Sequence, residues 1–239
     1  MHLSEIPDDL AGLGEALAMW RALGDLEGEA VALETIGWAH DAHGDYAAAQ
    51  TAYEQSLAVR ERAGSPELRG LAARAGLCHV FVARGETTEA AAQAAELLAL
   101  ARSHDAVLME QLALHFLADC PLIEGDWNEA ETRYRRALAF AREAGMPRRA
   151  TDETLGIAMA RAGAGDHAQA LRLAAAAHAK QTEIGQRADA WWQGMQDRLL
   201  GLAREAMTDT EREAAEREGV AIGFDRTVDE LVSAESVPP

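Results

Sequence analysis

Only six prolines and two cysteines occur among the 239 residues, and aromatic side chains make up 5% of them. So little proline leaves few helix breakers, and so few aromatics argue against a sheet protein, whose strands need aromatic and β-branched side chains to fill their pleated faces. Alanine, leucine, glutamate and arginine dominate instead, which points to an all-α protein long enough to bury a substantial core. Cys78 and Cys120 stand 42 residues apart, too far for a zinc knuckle or a redox pair, and suit a reducing cytoplasm. Positive charge is also short. Lys plus Arg number 22 against 40 Asp plus Glu, a formal net charge of −18 that repels phosphate backbones and excludes nucleic acid as a direct partner. The opening MHLSEIPDDL has acids where a secretory leader needs basic residues, and no run of 18 uncharged apolar residues occurs, so a soluble, unexported chain without membrane contact is expected. One stretch reverses the charge balance: TRYRRALAFAREAGMPRR, with Arg133, Arg135, Arg136, Arg142, Arg148 and Arg149. It reads either as a solvated basic face or as a dock for an acidic surface.

What the chain has in abundance is regular spacing. Turn glycines followed by an acid fall at Gly44, Gly85, Gly125 and Gly165, in steps of 41, 40 and 40. A second comb runs through Gly24, Gly64, His104, Gly145 and Gly185. Interleaved, the two combs cut the chain into helical segments of about twenty residues, each ending in a residue suited to a left-handed cap, which predicts a ladder of helical hairpins. Counting from each turn glycine, the eighth residue before it is apolar (Ile36, Leu77, Leu117, Ile157) and the seventh is small (Gly37, Cys78, Ala118, Ala158). The fifth residue after it is always alanine (Ala49, Ala90, Ala130, Ala170), as a close helix crossing requires.

The order of small residue, glycine, acid, aromatic, alanine and tyrosine in Gly37, Gly44, Asp45, Tyr46, Ala49, Tyr53 and Leu57 resembles the tetratricopeptide repeat, and Ala118, Gly125, Asp126, Trp127, Ala130, Tyr134 and Leu138 repeat it. The period of 40 exceeds the 34 usual for that family, which implies longer helices. The resemblance implies a solenoid over residues 1–206: a half repeat at 8–24, repeats at 25–64, 65–104, 105–145 and 146–185, and a capping helix at 187–207, with further caps and a tail at 208–239. Endings such as LAMWRALGD are similar to the C-terminal arrays of large bacterial transcription regulators that join a nucleotide-binding module to a LuxR-type DNA-binding domain. No Walker GxxxxGK[ST] motif and no helix-turn-helix accompanies them here.

At the ends, a first helix from about Asp8 to Leu23 lacks a hairpin partner before it, so its apolar flank is expected to be covered by a second copy or another protein. Short helices are expected from Thr208 to Glu218 and after Asp225, and SVPP should be a frayed tail. Trp191 and Trp192 cannot both face one core; one should pack with Met195 and Leu199 and the other lie as a lid or surface anchor.

In tetratricopeptide arrays the first helix of each hairpin lines the concave side, so the resemblance makes that stripe the candidate binding surface. It carries Glu34, Trp38 and Asp41, then His79, then His115, Asp119 and Leu122, then Asp152 and Met159. Spacings of three and four keep these residues on one face of each helix. An aromatic among carboxylates and histidines suits a protein or peptide of basic character, with Trp38 as anchor. The function expected is therefore a non-enzymatic scaffold with no cofactor, no metal and no catalytic residue. The alternative is a small-molecule sensor or tailoring enzyme using His79, His115 and Asp119. Pro121 should bend its helix, and Cys78 should lie on the packing side, inert.

Overall fold

The structure is a computed structural model and describes residues 10–233. Those residues are all-α, with helices α1 (Leu10–Leu23), α2 (Leu26–Ala42), α3 (Tyr46–Arg62), α4 (Leu71–Arg84), α5 (Thr87–Ser103), α6 (Val107–Glu124), α7 (Trp127–Glu143), α8 (Pro147–Gly163), α9 (His167–Glu183), α10 (Ala190–Glu205), α11 (Asp209–Ile222) and α12 (Phe224–Ser233), and one 3-10 turn at Glu67–Gly70. The expected helix start at Asp8 and the SVPP tail lie outside the described residues.

The glycine combs become one turn used again and again. Gly44, Gly85, Gly125 and Gly165 all sit at positive φ. The amide of the acid after each donates back to the carbonyl five residues earlier, as Asp45 does to His40, Glu86 to Phe81, Asp126 to Pro121 and Asp166 to Arg161. That bond closes the orphan carbonyls of the outgoing helix. In two of the four turns the same acid then caps the next helix with its side chain, Asp45 accepting from the Ala48 amide and Asp126 from that of Glu129, while Glu86 and Asp166 hold the N-cap position without such a bond. At Gly44 and Gly125 glycine and acid are thus one device, a stop followed by a start. The second comb needs one correction. At its third tooth the left-handed residue is Asp105 (φ 52), while His104 has φ −117. Aspartate tolerates that conformation better than histidine because its short side chain hydrogen-bonds locally.

The described chain divides into two compact units, one up to Phe116 and one from Leu117 on. In the first, α2 pairs with α3 and α4 with α5, and α1 lies against α2. Its packing centres on Tyr53, fully buried between the first helices of two successive hairpins. A Cβ on Gly37 or Gly76 would come within 2.6 or 2.3 Å of the tyrosine ring. Of these two glycines only Gly37 stands at the small-residue position, seven before a turn glycine. Gly76 and its counterpart Gly156 share one place, nine before a turn glycine, and Gly156 faces Tyr134 in the same way.

In the second unit α7, α8 and α9 pack in sequence, and α10 lies against α8 and α9. Ala130 and Ala170 are fully buried, as are Ala49 and Ala90 in the first unit, so the alanine register does mark close crossings. Pro121 lies inside α6, which runs unbroken through it. Trp192 is buried with Met195 and Leu199, and Trp191 stacks on it with ring centroids 5.9 Å apart and planes at 28°. Beyond α10 the chain turns back: α11 packs on α9, and α12 on both α7 and α9. Both helices therefore cover the second helices of their hairpins. Gly219 lets α11 come so close that a Cβ there would stand 2.0 Å from the Arg172 carbonyl oxygen.

Candidate functional site

The first unit brings together most of the residues expected there. On α2, Glu34, Trp38 and Asp41 are all partly exposed along one stripe, and His79 of α4 is partly exposed beside them. His79 Nδ1 lies 2.9 and 3.0 Å from the two carboxylate oxygens of Asp41. A carboxylate only accepts, so Nδ1 carries the proton and donates it, which fixes the tautomer and ring orientation. The imidazole is flanked by Tyr46, edge-on at 6.4 Å, and by Phe116 at 6.5 Å. His115 is buried, 5.9 Å from the Phe116 ring.

Farther along α2, Glu34 accepts from Arg60 of α3 at 3.0 Å, and the same guanidinium lies 3.4 Å from Glu27. Burial pushes the Glu34 carboxyl above its ordinary value despite the pull of Arg60. Glu27 is held below its ordinary value by hydrogen bonds from Ser65 and Arg69. Burial also raises the Tyr53 hydroxyl, and the Asp41 and Glu34 carboxylates add to the effect. Arg60 was not foreseen as part of this surface. It belongs to the second helix of its hairpin, and only tertiary packing shows that its long side chain reaches across to α2.

The second unit treats its share of the stripe differently. Leu122 and Met159 are fully buried, Asp119 is 1% exposed and Asp152 7%. Leu122 and Met159 belong to one core with Leu155, Trp192, Met195 and Leu199, so they are packing residues and not surface contacts. Over α8, the helix of Met159, the covering element is α10, whose apolar face needed burial as much. Asp119 accepts a short hydrogen bond from the buried Tyr134 hydroxyl, whose ionisation is pushed far up by burial and by that carboxylate. Asp152 accepts from Gln186 at 2.7 Å and pairs with Arg149 at 3.3 Å. Next to Asp119, burial and the Asp119 and Glu124 charges push the Cys120 thiol up to about 12, so it stays protonated near neutral pH.

Chemically, the half-exposed part of the stripe offers an indole, an oriented imidazole and two paired carboxylates. Among the described residues no group of His, Cys, Asp and Glu is arranged to hold a metal ion, and no helix is long and apolar enough to cross a membrane. A comparison with curated proteins finds no match. The family model for the tetratricopeptide repeat does match, over residues 10–62, the segment from α1 through α3 that carries Glu34, Trp38 and Asp41.

Proposed function

We propose that this chain is a non-enzymatic scaffold that binds a protein or peptide of basic character on the first-helix face of its N-terminal unit. The observation that carries the reading is the partly exposed stripe of Glu34, Trp38, Asp41 and His79 within and beside a segment matching the tetratricopeptide repeat, whose members generally bind proteins. Trp38 supplies the anchor, since a partly buried indole gives large contact area at small entropic cost. Asp41 and Glu34 set orientation, and the net charge of −18 draws cationic ligands toward the molecule. The likeness of the repeats to the arrays of LuxR-type regulators supports a regulatory role for such binding.

The rival, a small-molecule sensor or tailoring enzyme on the same face, draws on the Asp41–His79 bond, because a carboxylate that orients an imidazole also suits acid–base chemistry. A library of fluorescent cationic peptides screened by anisotropy tests the reading. Binding that falls at least tenfold in Trp38→Ala, and little in His79→Ala, is the expected result. If no peptide binds, and a small-molecule turnover is found that His79→Ala abolishes, the rival stands instead.

A further inference from the structure

Helix α12 has the features of a ligand seated in a groove. It is ten residues long, too short to hold helical form in water alone, so docking maintains it. Phe224, Val228 and Leu231, spaced i, i+4 and i+7, are buried, while Asp225, Asp229 and Glu230 face solvent. Helices that enter apolar grooves use this same set of anchors.

The groove is complementary in charge as well as in shape. Its wall is the basic stretch of α7 noted in the sequence. Arg142 meets Asp229 at 2.5 Å, and Arg135 donates to the Leu231 carbonyl at the end of α12, where a helix dipole favours a cation. A shallow open notch lies between α12 and the α7–α8 turn, bordered by Ala141, Met146, Ala150, Phe224 and Val228. The tether is one residue, Gly223, between α11 and α12, with φ 81 and ψ 156, a combination essentially confined to glycine.

We propose that the groove over α7 and α9 is a docking site for an acidic amphipathic helix of a partner protein, carrying an aromatic, a β-branched residue and a leucine at i, i+4 and i+7 with an acid after the second anchor, and that α12 occupies it in cis until such a helix displaces it. The occupant α12 defines the chemistry the groove accepts. The open notch beside Phe224 and Val228 gives a partner helix with bulkier anchors additional apolar surface to cover. This surface belongs to the second unit and takes an acidic segment, whereas the first-helix face of the N-terminal unit takes a basic one.

The probe is a fluorescein-labelled peptide with the sequence of residues 223–233, GFDRTVDELVS. The full chain carrying Phe224→Ser and Leu231→Ser, which frees the groove, is expected to bind it at least tenfold more tightly than the unaltered chain. Adding Arg142→Glu should weaken binding several-fold, and a peptide with arginine in place of Asp229 should restore it. Hydrogen exchange on the unaltered chain supplies an arm that does not depend on the variants folding: saturating peptide should speed exchange of residues 224–233. Equal binding by freed and unaltered chains, indifference to Arg142→Glu, or unchanged protection of α12 under saturating peptide would each overturn the proposal. So would a dimer of the unaltered chain in which α12 exchanges between copies, since the occupant would then be a second copy.

Discussion

At the scale of single residues, burial decides which reactive groups are available. Cys78 and Cys120 are both buried, and the Cys120 thiol is raised to about 12. Iodoacetamide at pH 7.5 should therefore leave both thiols unmodified in the folded chain and label both in denaturant; mass spectrometry reads the difference. Glu131 is the opposite case. Burial alone would raise its carboxyl, but hydrogen bonds and charge from Arg161 and Arg135 outweigh it and hold the group below its ordinary value. A carboxyl lowered on folding stabilises the native state above its unfolded value and loses that contribution as pH falls through its folded value. Glu131→Gln should cost about 1–3 kcal/mol at pH 7 by chemical denaturation. The gap between variant and parent should close as the pH drops below the ordinary carboxylate range. The partnerships at this scale were only partly legible in the sequence. Asp41 and His79 were placed on one surface by their offsets, but the bond between them depends on a separation across two helices that no offset contains.

Helices and their crossings obey the repeat more strictly. Ala130 is fully buried at a position where four repeats carry alanine, so Ala130→Leu should force the crossing open at a cost of about 1–3 kcal/mol, measured as a lower melting temperature. Gly219 makes a parallel claim for α11. With a Cβ blocked by the backbone carbonyl of Arg172, Gly219→Ala should cost a similar amount, about 1–3 kcal/mol, and should raise hydrogen exchange across α11 and α12. The alanine was legible because it recurs in register four times. The glycine was not, because α11 stands outside the repeat and its seat on α9 is a single event. The same holds for the basic face of α7: both readings, solvated surface and dock, were compatible with its charges, and only the return of α12 shows an acidic partner against it.

At the scale of the whole molecule, α1 presents an uncovered apolar face. None of its residues is buried, and Met19 and Leu23 are 65% and 72% exposed, with Val31 of α2 exposed as well. Apolar surface left in water favours association, and we expect concentration-dependent dimers in sedimentation that Met19→Glu with Leu23→Glu abolishes. The all-α class, the turn positions and the buried alanines followed from sequence alone, because each is a local demand repeated every 40 residues and satisfied by neighbours in the chain. Tertiary structure alone decided which stripe residues stay accessible. Glu34, Trp38, Asp41 and His79 remain partly exposed, whereas Leu122 and Met159 vanish into the core of the second unit and α7 acquires α12 as a cover. The physical reason is that apolar burial is non-directional: periodicity tells a helix which face to hide, but any element with a matching apolar face, however distant in the chain, can hide it.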